Sequence, residues 1–425
     1  RILREVSPPW VQRLITTARE VADRLGASVY LVGGMVRDML LERANEDVDL
    51  VVEGDGIAFA EALAEALDGR AHPHLPFLTA VITLPDGLRV DVASARTEFY
   101  RTPAALPEVA TSLIRQDLYR RDFTINSLAV VLSGERYGEL VDFFGGRMDI
   151  QRREIRVLHS LSFIDDPTRA LRAVRYARRL GFTIALDTRN LISTALEEGV
   201  FERLSGQRLR RELEVLLAEP HPTPALALVA DLGLLQAICF GLEWSEEVRS
   251  YLMEVEGQLA WYQLEELGVL PEPWILFLGG LALASGGDVV EELADRLQLG
   301  GPIEELFLSF PAFVDEIKAA ADSGLSLSQQ AQVVEQRPVE ALLLAMADLP
   351  LQSRRNLANA AVAAARVRLP VTGQDLVDRG VSPGPHIGRA LRLTRDALID
   401  DMIAADEALR CALETARSLE TEMHS

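Results

Sequence analysis

The spacing of hydrophobic and polar residues divides the chain into two parts. The first part has both helical and strand patterns, and the second has almost only the helical pattern. In the first part, apolar residues recur at helical spacing over Val11–Leu25 and Gly56–Leu67. Short apolar runs at 28–32 and 48–52 predict buried strands between these helices. From Glu202 onward, nearly every segment has the helical period. The pattern predicts a small α/β head followed by a long helical remainder.

Turn signals separate the other predicted elements. Pro85-Asp86-Gly87 is a strong turn sequence between two apolar strands. A helix predicted over Asp165–Leu180 carries arginines along one side. The remaining predictions are a helix at Val36–Leu41, strands at Leu78–Leu84 and Leu88–Ala93, a helix end that leads into a strand over Phe123–Val131, and loops that lead into helices over Leu369–Ile399.

The composition is that of a soluble globular protein, since 48% of the 425 residues are hydrophobic and 25% are charged. It excludes disordered, collagen-like and channel-forming proteins. Two cysteines, Cys239 and Cys411, form no disulfide framework, and no Cys/His spacing is typical of zinc sites. No signal sequence opens the chain, so we expect a cytoplasmic protein without membrane association. The first residue is Arg1 rather than Met, which indicates a fragment or a numbering that starts inside the chain and leaves room for upstream domains.

The distribution of charge along the chain differs from what the net charge alone suggests. A net charge of −21, taken alone, argues against a nucleic-acid partner. Residues 115–211, however, carry 18 arginines and 13 acidic residues, which makes this stretch +5 and the rest of the chain −26. A basic segment inside an acidic chain is a local electrostatic signal.

Gly33-Gly34 lies between a predicted strand and a predicted helix. Glycines allow a polyanion to approach backbone N–H groups closely, and a helix N-terminus favours phosphate. Arg37 adds a bidentate phosphate donor one turn into the helix. The alternative is a tight turn without a ligand.

Asp47 and Asp49 begin an apolar strand and project from the same face because they are two residues apart. Adjacent carboxylates repel unless a divalent cation lies between them, and Mg²⁺ with phosphate oxygens is the natural solution. Asp91, on a neighbouring strand, is a candidate third carboxylate, and three carboxylates can hold two metal ions. The alternatives are a solvated strand end for the pair and an ordinary strand-end residue for Asp91.

Two further motifs are rich in arginine. Arg121 and Asp122 are candidates for triphosphate or ribose contacts, or for a structural ion pair with each other. In the other motif, four charged residues spaced three apart form one ridge of a helix, or else a solvated salt-bridge ladder. Its members are Asp166, Arg169, Arg172 and Arg175.

These four motifs, in this order, resemble those of class II tRNA nucleotidyltransferases, a family of CCA-adding, CC-adding and A-adding enzymes and bacterial poly(A) polymerases. The resemblance is close over Tyr30–Val215 and weaker over Val371–Ile399. It implies an α+β fold, with a DNA polymerase β-like nucleotidyltransferase head and an all-α neck, body and tail. The implied boundaries are 1–142 for the head, 143–215 for the neck, 216–365 for the body and 366–425 for a tRNA-binding tail.

The resemblance also implies the activity and the site. It implies template-independent addition of A, or of C and A, to the tRNA 3′ end, with ATP and CTP as substrates, two Mg²⁺ ions and release of pyrophosphate. The implied partners are the 3′ end and acceptor region of tRNA, and the oligomeric state stays open. Two positions depart from the family pattern: Asp165 replaces a usual Glu, and Glu46 replaces a common Lys. The resemblance implies metal binding for Asp47 and Asp49, and nucleotide binding for Gly34, Arg37, Arg121, Asp166, Arg169, Arg172 and Arg175. The motifs themselves add Gly33 and Asp122 as candidate nucleotide-binding residues and Asp91 as a candidate catalytic carboxylate beside Asp47 and Asp49.

Base selection follows from the chemistry of one carboxylate and one guanidinium. Cytosine and adenine both present an exocyclic amine beside a ring-nitrogen acceptor, whereas guanine and uracil present a carbonyl in place of the amine. Asp166 can accept from the amine while Arg169 donates to the ring nitrogen. The pair can therefore admit C and A and reject G and U without a template.

The finer activity stays open among several readings. CC-adding members of the family tend to lack a loop between the metal pair and the third motif, and Arg96–Arg115 can supply such a loop, which favours A-adding or CCA-adding activity. Poly(A) polymerases of this class carry an extra basic motif that this chain lacks. Two other classes are a catalytically degenerate RNA-binding homologue and a helical interaction protein with a vestigial head. The intact Asp47, Asp49 and Arg121 argue against the first. The large acidic helical region permits the second, but the density of motifs does not favour it.

Overall fold

The computed structural model describes residues 8–99 and 108–424. The chain divides into two compact units, of which one comprises Arg1–Glu212 and Leu228–Ala237, and the other comprises Leu213–Ala227 and Ile238–Ser425. The four-part division into head, neck, body and tail stays a prediction. Within the described ranges, each helix is either too short or too polar to span a membrane.

A seven-stranded mixed sheet forms the centre of the first unit, which confirms the predicted α+β head. Its strand order is β3-β4-β5-β2-β1-β8-β9, and β2 and β5 are the parallel neighbours in an otherwise antiparallel arrangement. The strands are β1 (Ser28–Val32), β2 (Val48–Glu53), β3 (Arg70–His74), β4 (Thr79–Thr83), β5 (Arg89–Ser94), β8 (Leu128–Val131) and β9 (Leu140–Asp142), and a separate antiparallel ribbon pairs β6 (Arg96–Phe99) with β7 (Glu108–Thr111).

The apolar runs of the sequence become the buried centre of the sheet. β1 and β8 are almost wholly buried, and β2 alternates only at its ends, as expected for strands covered on both faces. Helix α1 (Pro9–Leu25) and helix α3 (Gly56–Ala66) pack on each other, and α3 also packs on the sheet. Gly56 permits this packing, because a Cβ there would lie 2.6 Å from the Ser94 backbone nitrogen.

Short helices follow the sheet strands and surround the cavity described below. Helix α2 begins directly at Gly34, earlier than the predicted Val36, because the left-handed Gly33 ends β1 and turns the chain. These elements are α2 (Gly34–Leu40), α4 (Ile114–Tyr119), α5 (Gly146–Arg152), α6 (Ser162–Asp165), α7 (Arg169–Leu180) and α8 (Leu186–Glu197), with a small parallel ribbon of β10 (Glu154–Ile155) and β11 (Thr183–Ile184).

The continuous helix predicted over Asp165–Leu180 is wrong. Helix α6 ends at Asp165, Asp166 has extended backbone (φ −141°, ψ 95°), and α7 begins at Arg169. The cause is Pro167, which has no N–H and disfavours helical backbone in the preceding residue. The predicted ridge therefore loses Asp166 and keeps its three arginines on α7.

Strand pairing accounts for the other differences from the sequence prediction. β3 and β9 lie at the two edges of the sheet; β3 is largely exposed and β9 has only three residues, so neither has a clear strand period. The predicted loop over Arg96–Arg115 contains β6, β7 and the start of α4, whereas its residues 100–107 lie outside the described part of the chain.

The remainder of the chain is helical, as predicted. A five-residue helix that begins with a Thr372 capping box and a fifteen-residue helix that begins after Gly384 confirm the loops predicted to lead into helices near 369–399. The helices are α9 (Gly206–Leu217), α10 (Thr223–Asp231), α11 (Leu234–Ile238), α12 (Glu246–Leu264), α13 (Pro273–Ser285), α14 (Gly287–Arg296), α15 (Pro302–Asp322), α16 (Leu327–Glu335), α17 (Val339–Ala347), α18 (Leu351–Arg366), α19 (Gly373–Val377), α20 (Pro385–Ile399) and α21 (Ala408–His424).

Candidate active site

A cavity of about 550 Å³ lies in the first unit between the sheet and helix α7. Nine of the twelve predicted site residues line it, and the three that do not are Arg37, Asp47 and Arg175. The polar side chains of the lining are Asp49, Thr79, Asp91, Arg120, Arg121, Asp122, Asn126, Asp166, Arg169, Arg172 and Tyr176, and Gly33 and Gly34 also line it.

The predicted carboxylates lie at one end of the sheet. Asp49 and Asp91 are register partners on the parallel strands β2 and β5, and Asp47 is exposed just before β2. Burial raises the pKa of Asp49 to about 6 against the opposing effect of Arg121, and Asp91 and Asp47 raise it further. Burial and Asp47 also raise the pKa of Asp91. The folded chain thus disfavours the charged form of these groups, as expected where a cation completes the site.

The carboxylates at this end of the sheet fit Mg²⁺ only if oxygens from water or substrate supply its remaining ligands. Among residues 8–99 and 108–424, no three His, Cys, Asp or Glu side chains are close enough together to hold a metal ion. Mg²⁺ accepts such a site, because it commonly takes one or two carboxylates, waters and substrate phosphates. Asp47 and Asp49 would hold it. A direct role for Asp91 stays a prediction.

Gly33 brings Arg121 next to Asp49. Its φ of +73° is in the left-handed region, and a Cβ there would lie 2.8 Å from Arg121 Nη1 and 3.6 Å from Asp49 Oδ2. A side chain at this position would therefore push the guanidinium away from the carboxylate. Arg121 Nε is buried without an acceptor in the described chain, so this residue retains a donor for a bound anion.

Asp117 holds the two consecutive arginines, and the sequence interpretation missed it. It is fully buried, and it accepts hydrogen bonds from Arg120 Nη2 at 2.7 Å and Arg121 Nη2 at 3.2 Å. Burial raises the pKa of Asp117, but the two guanidiniums outweigh that effect and hold it below its usual range. The spacing of three and four residues on one helix was the signal that could have found it.

Arg37 supports the cavity wall from behind and does not line the cavity. Its Nε and Nη2 each donate to Asp38 at 2.8 Å, and its Nη1 donates to Asn126 Oδ1 at 2.7 Å. Asn126 in turn donates to Asp122 Oδ1 at 3.0 Å. Arg37 is therefore part of a buried hydrogen-bond chain that leads to Asp122, and its direct nucleotide contact stays a prediction.

Asp122 pairs with Arg172 across the cavity wall, and not with its neighbour Arg121. The Arg172 Nη2 atom lies 2.5 Å from Asp122 Oδ2. Burial raises the pKa of Asp122, but Arg172 and the hydrogen bonds from Asn126 and the Phe123 N–H hold it below its usual range. The same ion pair raises the pKa of Arg172.

Asp166 and Arg169 both line the cavity, but each has a different protein partner. Asp166 Oδ1 accepts from Arg208 Nη2 at 2.8 Å and from Thr168 Oγ1 at 2.6 Å. Arg169 donates through Nη1 to Ser162 Oγ and through Nη2 to the Arg120 carbonyl, both at 2.8 Å. Sequence interpretation missed Arg208, since it lies 42 residues from Asp166 on α9.

Tyr176 completes the wall beside the third arginine of α7. The guanidinium of Arg37 lies 5.3 Å from its ring centre and that of Arg175 lies 5.1 Å away. Arg175 therefore contacts a cavity-lining ring and does not line the cavity itself. Glu212 lies nearby, and burial raises its pKa against the effect of Arg172 and Arg175.

Comparison with known proteins agrees with this geometry. Residues 29–156 match the family described as poly A polymerase head domain, and residues 181–243 match a probable RNA- and SrmB-binding site of polymerase A. A CC-adding tRNA nucleotidyltransferase of Deinococcus radiodurans is 32% identical over 85% of this chain and 82% of its own length.

The chain belongs to the tRNA nucleotidyltransferase and poly(A) polymerase family. An A-adding tRNA nucleotidyltransferase of Geobacter sulfurreducens is 38% identical over 94% of the chain, which spans only 46% of that relative's length. The structure of the Thermotoga maritima CCA-adding enzyme complexed with tRNA_CCA superposes with a TM-score of 0.82 at 30% identity, over 98% of both chains. The family assignment confirms the resemblance and the fold class predicted from the four motifs.

We predict that Asp122→Asn destabilises the protein, because it leaves Arg172 without its buried partner. The expected loss is about 3 kcal/mol in the free energy of unfolding, measured by thermal or urea unfolding at pH 7. The folded-state pKa of Asp122 is depressed, so its contribution is present above the ordinary Asp pKa and is lost as the pH falls through the lower folded value. The variant should therefore lose less stability than the wild type below about pH 4. Asp187→Asn, at an exposed position, is the control.

Proposed function

We propose that this chain is a template-independent nucleotidyltransferase that adds A, or C and A, to the 3′ end of tRNA and releases pyrophosphate. The observation that carries the proposal is the cavity itself, in which Asp49 and Asp91 face Arg121, Asp122 and Arg172. Carboxylates suited to a metal ion and arginines suited to a triphosphate are the two parts of a phosphoryl-transfer site. The similarity to an A-adding relative favours A as a nucleotide that is added.

Different residues of the site have different roles in the proposed reaction. Mg²⁺, when held by Asp47 and Asp49, supplies activation of the RNA 3′-hydroxyl and charge neutralisation on the leaving pyrophosphate. Arg121 binds and orients the triphosphate, because Asp117 fixes its position and its Nε is free of protein acceptors in the described chain. Arg172 keeps a second buried Nε donor on the opposite wall.

Asp166 and Arg169 select the base. The hydrogen bonds described for Asp166 all use Oδ1, which leaves Oδ2 for an exocyclic amine. The guanidinium of Arg169 has five N–H donors and makes three hydrogen bonds to Ser162 and Arg120, so it can also donate to a ring nitrogen. This arrangement accepts cytosine and adenine and opposes guanine and uracil.

We further propose that tRNA contacts extend into the helical segments. The match of residues 181–243 to an RNA-binding family region supports contacts after the head, and the tail at 366–425 is the proposed distal contact. The substrates would be ATP and, for CCA addition, CTP, and the reaction would occur in the cytoplasm.

The decisive experiment supplies the protein with Mg²⁺, each labelled nucleoside triphosphate in turn, and tRNA that ends before the CCA, after C or after CC. Addition of A only to tRNA ending in CC identifies an A-adding enzyme. Addition of C and A to the shorter tRNAs identifies a CCA-adding enzyme. Long A tails indicate a poly(A) polymerase, and binding of tRNA without any addition indicates a degenerate homologue, which contradicts the proposal.

Asp47→Ala and Asp49→Ala should each abolish nucleotide addition while leaving the fold intact. Loss of an essential metal ligand removes activation of the 3′-hydroxyl and should reduce kcat by several orders of magnitude. Single-turnover addition to tRNA measures the rate, and circular dichroism checks the fold. Glu65→Ala, at an exposed position on α3, is the control. Near-normal turnover of either Asp variant would show that its carboxylate does not bind the metal.

Asp166→Ala should lose selectivity against GTP and UTP together with overall rate, because the acceptor for the exocyclic amine is removed. The expected loss of discrimination is about 1–3 kcal/mol, measured as the ratio of kcat/KM for the four triphosphates. Arg208→Gln is the matched variant, since it removes the ion pair of Asp166 and retains its carboxylate. Unchanged selectivity in Asp166→Ala would assign this residue to the Arg208 salt bridge alone.

A further inference from the structure

Four rings form a continuous surface beside the cavity in the first unit, and none of them has a role in the chemistry above. We name Tyr119, Phe143, Phe144 and His159 the aromatic surface. The Tyr119 ring centre lies 5.1 Å from that of His159 and 5.7 Å from that of Phe144, which lies 6.1 Å from Phe143. Tyr119 is 47% exposed and Phe143 is 46% exposed. Large aromatic side chains exposed to this extent in a contiguous group indicate a binding surface.

The protein holds these rings in place without a ligand. Tyr119 is the last residue of α4, whose Asp117 anchors the next two residues. Asp142 Oδ1 accepts hydrogen bonds from the N–H of Phe144 at 3.3 Å and of Gly146 at 2.9 Å, which fixes the turn that carries both phenylalanines. Phe144 packs against the core beneath the sheet. Because folding already orders these side chains, binding of a partner would cost little further conformational entropy.

The aromatic surface adjoins residues that line the cavity, because His159 lies close enough to the lining residue Arg169 to be affected by its charge. Tyr119 precedes Arg120, which lines the cavity, and the carbonyl of Arg120 accepts from Arg169 on the same lining. Burial and Arg169 lower the pKa of His159 against the opposing effect of Asp165, which favours the uncharged ring. At the far side, the guanidinium of the exposed Arg115 lies 5.7 Å from the ring centre of Phe143. The surface thus combines flat apolar faces with a cation at its outer end.

We propose that the aromatic surface stacks the unpaired 3′-terminal nucleotides of the RNA acceptor and leads its 3′-hydroxyl into the cavity, with Arg115 near the backbone phosphates. The inference rests on the proposed function. Exposed aromatic rings with a flanking arginine are the features by which proteins hold single-stranded RNA, since every base has a face that can stack. Such a surface accepts the acceptor end whether its last base is C or A, as stepwise addition requires.

The test measures addition of A to tRNA ending in CC at saturating ATP. Tyr119→Ala and Phe143→Ala should raise KM for the tRNA roughly 5- to 100-fold, because a stacking contact is lost, while KM for ATP stays unchanged. Tyr119→Phe keeps the ring and should behave as the wild type. Phe77→Ala is the matched control, because Phe77 is 45% exposed and stacks on His74 with ring centres 5.0 Å apart, outside the aromatic surface.

A second arm identifies the bases as the groups that stack. A tRNA with abasic residues at its last two unpaired positions should raise KM for the wild type, and Tyr119→Ala should add no further loss on this substrate. The inference is overturned if Tyr119→Ala and Phe143→Ala have the wild-type KM for the tRNA, or if Phe77→Ala raises this KM as much as they do. It is also overturned if the effects of Tyr119→Ala and of the abasic residues on KM are fully additive. If the variants change only sedimentation behaviour, the surface binds protein and the inference is also wrong.

Failure of the proposed function would give a different result. A wild-type chain that adds no nucleotide to any tRNA would contradict the proposed activity. Fluorescence anisotropy of a labelled single-stranded RNA ending in CC then tests the surface alone. Weaker binding by Tyr119→Ala and Phe143→Ala than by Phe77→Ala would support the stacking surface without catalysis, and equal binding by all three would overturn it.

Discussion

The buried ion pair between Asp122 and Arg172 is the interaction on which the two walls of the cavity depend. Asp122 belongs to the segment between α4 and β8, whereas Arg172 belongs to helix α7. Behind Asp122, Asn126 and Arg37 form a hydrogen-bond chain that ends on Asp38. Because an unpaired buried charge is costly, each member keeps its neighbour in one position. The cavity therefore has a defined width before any nucleotide binds.

Pairing of buried charges also explains how a chain with a negative net charge can present arginines to an anion. The net charge is −21, but Arg120 and Arg121 pair with the buried Asp117, and Arg172 pairs with the buried Asp122. Asp117 orients Arg120 and Arg121 but cannot accept from all of their N–H groups, because each guanidinium has five N–H donors. The local field, and not the total charge, thus determines where this chain can attract an anion.

Position relative to the cavity separates two kinds of arginine that look alike in the sequence. Arg121, Arg169 and Arg172 line the cavity, whereas Arg37 is buried behind its wall. Arg175 lies over the Tyr176 ring. The lining residues are suited to contact the nucleotide, and the others support the lining. The aromatic surface lies near these lining residues, and its Tyr119 and Phe143 rings are exposed to solvent.

Local sequence determined the elements whose signals are short-range. The apolar runs 28–32 and 48–52 became buried strands because such runs have no polar face to expose, and Gly33 turns the chain because its φ is positive. The motif order was enough to identify the family and the fold class. Pro167 was also a short-range signal, and its effect on the preceding residue is the reason that Asp166 lies outside α7.

Tertiary structure decided which of these side chains meet. The parallel pairing of β2 with β5 places Asp49 beside Asp91, although 42 residues separate them in the chain. The partner of Asp166 is Arg208, and the partner of Arg121 is Asp117 rather than Asp122. Spacing along one segment predicts which residues share a face, but it cannot show which other segment packs against that face. Long-range strand pairing and the burial of charges, each of which requires a partner, supply that information only in the folded chain.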